Sequence, residues 1–404
     1  VSGPAAAGDQ NLADTDREWV TVITPTLIDN AVFRTHVVIR LLMTRFNVQL
    51  VAFGKPGEMY APLVNDRLVT PDITYHATGI VNWWRQVRAM APKIRGRAIV
   101  CVKPLLASYG AGLVLGRQLK RPVIVDVDDW EVGFLPSGSL DWELRFYGLQ
   151  WFTKTNSPLF TRILEGRIPS ASAVLVSNTV LQGMFGGYWV PHLRTPVDLP
   201  PLAAPRPGEK KIVSFVGKPR VQKGLGTLVR AWRLLARQDA ILRLIVPDPA
   251  DALLTTEVKG VPNVEVRGPC PFPELPRLLG EASVIVVPQD NARGSLGQLP
   301  VKMLDAMAVG RPIVTTDVCD ASRWLADGAG IVVTPGSPEA LAQGIARLLD
   351  DPAASRAMAE CARQRLARFG SEARLSKTIC DVVSGSITGQ LPPALAAFAD
   401  DPAS

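Results

Sequence analysis

Two lysines bracket one short loop in FVGKPRVQKGLGTLVRAW: Lys218 follows an apolar run that ends at Gly217, and Lys223 precedes Gly224, where a helical pattern begins. A cation just past a strand, a second at a helix N-terminus and backbone amides freed by glycine make a site for a diphosphate. Each charge-assisted hydrogen bond in such a site contributes about 1.5–3 kcal/mol. On the loop alone, two lysines that merely solvate a turn are an equal reading. A second segment, residues 288–317, carries a polar loop with Gly294, Ser295, Leu296 and Gly297, then a helix opening near Pro300. Its amides and helix dipole suit phosphate or sugar oxygens. Lys302 and Asp305 share a helix face there, and Asp305 could accept from a ribose diol or simply form a surface ion pair.

A third cluster, PVIVDVDDWE, crowds Asp126, Asp128 and Asp129 at the end of an apolar run. Neighbouring acids raise one another's pKa, which would leave one of them able to accept a proton. The other reading is that Asp126 and Asp129 cap the next segment or pair with Arg or Lys. Five dispersed cysteines form no C-x-x-C pair, and the histidines are only His36, His76 and His192. Free thiols and no metal site are therefore expected.

These residues have to be positioned by the elements around them. WVTVIT (19–24), VQLVAFG (48–54), RAIVCV (97–102), PVIVDVDD (122–129) and SAVLVS (172–177) are β-rich runs separated by helical patterns such as 31–46 and the Gly-rich 109–119. A second series, 212–217, 242–247, 264–268, 283–288, 312–317 and 330–335, follows the proline-rich stretch 196–208. Strands alternating with helices predict parallel sheets, and proline density predicts an exposed linker. The chain thus reads as two doubly wound α/β domains, with 404 residues exceeding a single core. Ligands belong at the carboxyl ends of such strands. Residues 1–17 and 384–404 lack an apolar period and are expected to be mobile.

The C-terminal segments resemble the GT-B-fold glycosyltransferases of family 4, the glycosyl-transferases group 1. The family's F-V-G-R/K loop and following K-G are matched by Phe215, Val216, Gly217, Lys218, Lys223 and Gly224. Its E-A-M-A-x-G-x-P-V-V block is matched by Asp305, Ala306, Met307, Ala308, Gly310, Pro312, Ile313 and Val314. The likeness is strong over residues 205–370 and weaker before them.

That resemblance implies a GT-B enzyme: an acceptor-binding Rossmann-like domain over 18–195, a linker over 196–208, a nucleotide-sugar-binding domain over 209–375, and a C-terminal helix and tail over 376–404. It implies that Lys218 and Lys223 hold the diphosphate of a UDP- or GDP-linked sugar and that Asp305 holds the ribose. Transfer with retention, without cofactor or obligatory metal, is the implied chemistry, which leaves the D-x-D string of Asp126 to Asp128 incidental. The family's E-x7-E pair would place its first glutamate at 297, which is glycine, so Gln298 or loop amides are left to read the sugar hydroxyls. The family's V-H-D histidine falls on Asp128, with Asp129 beside it. VPHLRTPVD resembles the V-P-N-G-V-D strand end, which brings His192 near the cleft.

The partners expected are a nucleotide-sugar donor and a small-molecule or lipid-linked acceptor. A catalytically divergent protein that couples a cyclitol, or a non-catalytic binding subunit, is the alternative. Net charge of +7 alone supports a nucleic-acid binder, and no nucleic-acid motif accompanies it. The stretches NWWRQVRAM and DWELRFYGLQWF read as helix faces packed on the core, as an apolar acceptor pocket or, with Arg85, Arg88, Lys93, Arg95 and Arg97, as a membrane-surface helix. No apolar run reaches about 18 residues and the opening residues are polar and acidic. A cytoplasmic protein is expected, with peripheral contact at the inner face of the membrane as an option.

Overall fold

The computed structural model describes residues 16–28, 31–60, 63, 66–135, 157–199, 209–271 and 274–399. The Trp142–Phe152 aromatics and most of the proline-rich linker lie outside them. Two all-parallel sheets organise the chain. In the first, the strand order is β3-β2-β1-β4-β5-β6-β7. It comprises β1 (Trp19–Thr24), β2 (Asn47–Phe53), β3 (Ile73–Tyr75), β4 (Ala98–Val102), β5 (Val123–Val127), β6 (Ala173–Val176) and β7 (Tyr188–Trp189). In the second, the order is β10-β9-β8-β11-β12-β13, with β8 (Lys211–Val216), β9 (Ala240–Ile245), β10 (Val264–Arg267), β11 (Val284–Val287), β12 (Ile313–Thr316) and β13 (Ile331–Val333). Both are Rossmann-like, as the alternation of β-rich and helical runs predicts.

Burial on both faces explains why the central strands read as unbroken apolar runs. Every residue of β4 and β5 is buried, and the first sheet separates one apolar cluster containing Val20, Val22 and Leu50 from another containing Ile23, Ile99 and Val125. The second sheet does the same, with Phe215 and Leu242 on one side and Ile285 and Ile313 on the other. Register runs strand to strand without a break, Val22 pairing Leu50 on one side and Val100 on the other. β3 and β7 were not anticipated, being three and two residues long.

In the N-terminal domain, α1 (Val32–Leu42), α2 (Ile80–Met90), α3 (Ala111–Leu119), α4 (Pro158–Glu165) and α5 (Thr179–Phe185) are its α-helices among the described residues. The Gly-rich stretch 109–119 forms α3, entered through a π-helical turn over Leu106–Gly110. The N-terminal helix is shorter than the 31–46 pattern because Thr44, Arg45 and Phe46 turn directly into β2.

The C-terminal segment corrects the expectation of a mobile tail. The helix Glu372–Thr388 crosses back onto the first domain, where Leu375, Ile379, Val382 and Val383 join the cluster around Val20 and Val38. Beyond it, Tyr188 donates to the Pro392 carbonyl at 2.6 Å, and Phe398 stacks on Trp189 with centroids 4.5 Å apart. Its composition hid this, because small residues and prolines dominate while the anchors are one aromatic and main-chain groups. Among the described residues at the start of the linker, Val197 donates to the Ala308 carbonyl at 2.8 Å.

Candidate active site

The loop after β8 ends as the sequence predicts, with Lys218 exposed, a short 3-10 turn at Val221–Lys223, and the helix Leu225–Leu235. Gly224 has φ +70, and a Cβ there would lie 1.6 Å from the Pro288 carbonyl oxygen, so only glycine fits. That close approach brings Lys223 to the second loop. Its Nζ donates to Gln298 Oε1 at 2.6 Å and Gln289 Oε1 at 3.0 Å. Burial pushes its pKa down to about 8, opposed by Asp129 and assisted by Arg220 and Lys302. Lys218 is not drawn into this network by any described contact; it stands at the rim.

In the loop carrying Gly294, Ser295, Leu296 and Gly297, the amides of Ser295 and Gly297 are engaged locally, that of Gly297 on the Ser295 carbonyl. Ser295 N–H donates to the Ala292 carbonyl and Gln298 N–H to the Ser295 carbonyl. Gly294 and Gly297 face the N-terminal domain. A Cβ at Gly294 would stand 2.4 Å from the Phe134 ring, and one at Gly297 would stand 2.5 Å from Trp130 Cβ. Asn178 Nδ2 donates to the Gly297 carbonyl at 3.1 Å. Glycine at 297 is thus required by the approach of the other domain, which accounts for the absence of a carboxylate there.

Asp305 lies in the helix Val301–Val309 with both oxygens engaged. Lys302 Nζ is 3.0 Å from Oδ2 and Arg194 Nε reaches Oδ1. Burial would raise this carboxyl's pKa, but Arg194 and Lys302 outweigh it and hold the group well below the usual carboxylate range. The Lys302–Asp305 pair is therefore no surface bridge, since Asp305 is 8% exposed.

Opposite these groups, the acids in and just after the end of β5 are paired with cations, which is the second of the two readings their sequence left open. Arg34 Nη2 and Nε hold Asp126 at 2.6 and 2.9 Å. Lys103 Nζ lies 2.6 Å from Asp129, 2.7 Å from Glu131 and 3.9 Å from Asp128. His192 Nε2 stands 2.9 Å from Asp128 Oδ1. The raised pKa expected from crowding falls on Asp126, where burial dominates over Arg34. At Asp128 burial also pushes upward, but His192, Lys103 and Arg34 together hold the carboxyl low and ionised.

Sequence reasoning missed Lys103, Arg34, Arg194 and Glu131. Lys103 had a signal: like Lys218 it follows an apolar strand and precedes a proline. It adopts φ +65, a conformation uncommon for a residue with a Cβ, and its carbonyl is locked by Ser108 Oγ at 2.7 Å. Gln298 also joins the two halves of the site, its Nε2 donating to Asp129 Oδ1 at 3.1 Å, alongside the Arg194–Asp305 and Asn178–Gly297 contacts.

Residues 210–351 match the family model described as Glycosyl transferases group 1. An alpha-D-kanosaminyltransferase of Streptomyces kanamyceticus is 27% identical over 158 residues, 38% of this chain and 40% of that protein. A D-inositol 3-phosphate glycosyltransferase of Catenulispora acidiphila is 32% identical over 180 residues, 41% and 42% of the two chains. The chain thus spans about two fifths of the length of these curated relatives. Among solved structures, a sucrose-phosphate synthase from Thermosynechococcus elongatus superposes with a TM-score of 0.65 at 15% identity, over 92% of this chain and 100% of that one. Anabaena Alr3699/HepE, solved in complex with UDP, gives 0.67 at 14% identity, over 91% and 100%. The fold is therefore GT-B, two Rossmann-like domains, and its second domain carries the region matched by the group 1 glycosyltransferase model.

Proposed function

We propose that the protein transfers a sugar from a UDP- or GDP-linked donor to a small-molecule or lipid-linked acceptor, with retention of anomeric configuration and without a metal. The observation that carries this reading is Lys223, desolvated at a helix start between Gln289 and Gln298 and facing Asp129. As the bond between the anomeric carbon and the diphosphate breaks, negative charge builds on the leaving group. Lys223, Lys218 beside Gly217, and Lys302 supply positive charge where preorganised electrostatics matter most. Asp305, fixed by Arg194 and Lys302, is the ribose acceptor in this reading. Asp129, held by Lys103, orients the acceptor hydroxyl, and Asp128 stays ionised beside His192 rather than acting as a free base. Gln298 spans both substrates. The test is turnover with a panel of nucleotide sugars and candidate acceptors, read by mass spectrometry; product that disappears in Lys223→Ala supports the reading, and donor binding with no transfer or hydrolysis on any of them contradicts it.

A second reading has one observation in its favour. Trp130 approaches Gly297 so closely that no side chain fits, at the position where a sugar-reading carboxylate would stand by the resemblance. A divergent protein that couples a cyclitol, or only binds nucleotide, would need no such carboxylate. Nucleotide affinity that survives while every sugar nucleotide fails as donor would favour it.

A further inference from the structure

The chain's positive charge gathers in acid-free stretches, of which 210–238 carries the loop of Lys218 and Lys223 and 73–125 lies apart from it. Residues 73–125 contain nine Lys/Arg and no Asp/Glu. That stretch builds α2 and α3, and with α4 they frame a cavity of about 760 Å³ lined by Trp83, Trp84, Leu106, Val114, Phe160 and Ile163 among others. The two tryptophans of NWWRQVRAM divide: Trp83 is in the core at 4% exposure, whereas Trp84 is 46% exposed. Val81 and Ile163, also lining the groove, are 62% and 47% exposed. Monomeric proteins seldom leave large apolar side chains clustered in solvent without a partner. Cations surround them. Arg117 and Arg167 line the groove, Arg85 and Arg88 follow Val81 and Trp84 one turn on along α2, and Arg88 lies 4.6 Å over the Trp84 ring.

We infer that this face docks on a membrane surface bearing anionic lipid headgroups, with Trp84, Val81 and Ile163 entering the headgroup boundary while Arg85, Arg88, Arg117 and Arg167 meet phosphate. Apolar side chains ringed by basic ones, with no acid on α2 or α3, complement an anionic interface. A polyanion such as RNA would satisfy the charges but leave the apolar groove uncovered. Among the described residues no helix is long and apolar enough to cross a membrane. Glu165 at the end of α4 accepts from Trp130 Nε1 at 3.4 Å, so the docking face borders the segment that packs on Gly297. The inference does not rest on the transferase reading.

The test is co-flotation of the full chain with vesicles of phosphatidylcholine alone and of phosphatidylcholine mixed with phosphatidylglycerol, at low and high salt. Wild type floats with the mixed vesicles, floats at least tenfold less with the neutral ones, and is released by salt. Trp84→Ser with Ile163→Ser, and separately Arg85→Gln with Arg88→Gln, each lower binding about tenfold while the thermal unfolding midpoint, measured on the same preparations, stays unchanged. No binding to mixed vesicles, or equal binding by the variants, overturns the inference. So does single-stranded RNA that binds the arginine variant's wild-type parent as tightly as vesicles do, or a concentration-dependent dimer that the Trp84 variant abolishes, which would give the face to a second copy of the chain.

Discussion

Gln298 joins two residues that belong to different domains: its amide nitrogen donates to Asp129 at 3.1 Å and its amide oxygen accepts from Lys223 at 2.6 Å. One neutral side chain thereby connects the cation that follows β8 to the acid cluster that follows β5. Gln298→Leu keeps the size and deletes both bonds. A loss of about 2–3 kcal/mol in transition-state stabilisation, seen as a fall of roughly 30- to 150-fold in kcat/KM, is expected for a bond to a charged group at each end. Steady-state kinetics check it, and an unchanged kcat/KM would mean that the bridge has no part in turnover.

Lys223 sets a pH dependence. Its folded pKa of about 8 lies below the ordinary lysine value of about 10.4. Between those values the unfolded chain binds more protons, so stability contributed at this site rises as pH climbs from 8 toward 10.4 and is lost as pH falls through that window. Diphosphate binding runs the other way, because it needs the charged form. Nucleotide diphosphate affinity should fall above pH 8 by up to tenfold per unit, and Lys223→Arg, which stays charged, should flatten the profile. Titration calorimetry from pH 7 to 10 reads both.

Close packing between the domains predicts an asymmetry among glycines. Gly297→Ala places a Cβ 2.5 Å from Trp130 Cβ and should cost about 1–3 kcal/mol as overpacking, or hold the cleft open. Gly183→Ala meets nothing within 4 Å and lies inside a helix, so it should be neutral or stabilising by up to about 1 kcal/mol. Urea unfolding with small-angle scattering separates the two outcomes at Gly297.

Lys103 neutralises Asp129 and Glu131 at 2.6 and 2.7 Å in a largely buried pocket. Lys103→Met removes the cation and leaves the acids unpaired, a loss expected to be about 3–5 kcal/mol. Chemical denaturation at pH 7 measures it. Asp129→Asn with Lys103→Met should recover part of the loss, because it removes one of the stranded charges.

Much of the scaffold was legible because buried parallel strands are short apolar runs bounded by turn residues, as with RAIVCV and SVIVVP. The edge strands Ile73–Tyr75 and Tyr188–Trp189 were not, since two or three residues carry no period. Lys223 was visible as a cation at a helix start and Asp305 as the partner of Lys302 on one helix face. The distant partners in the site were not, because Arg194 is 111 residues from Asp305 and Lys103 is 26 from Asp129, and only the folded chain brings them together. Gly297 looked like a missing glutamate; its reason, the backbone-level approach of Trp130, is a contact between domains that no local pattern encodes. The C-terminal tail misled for the opposite reason, its anchoring resting on Phe398 and on main-chain groups at Pro392, Leu395 and Ala397 that no side-chain pattern reveals.

The central claim is that the loop between β8 and the following helix holds a nucleotide diphosphate, and it is tested most directly by titrating the protein with UDP, GDP, ADP and TDP and repeating the titrations on Lys218→Ala and Lys223→Ala. The account predicts micromolar binding of one nucleotide that weakens at least tenfold, about 1.4 kcal/mol, in Lys223→Ala and also weakens in Lys218→Ala. Binding to none of the four, or binding untouched by the loss of Lys223, would contradict it.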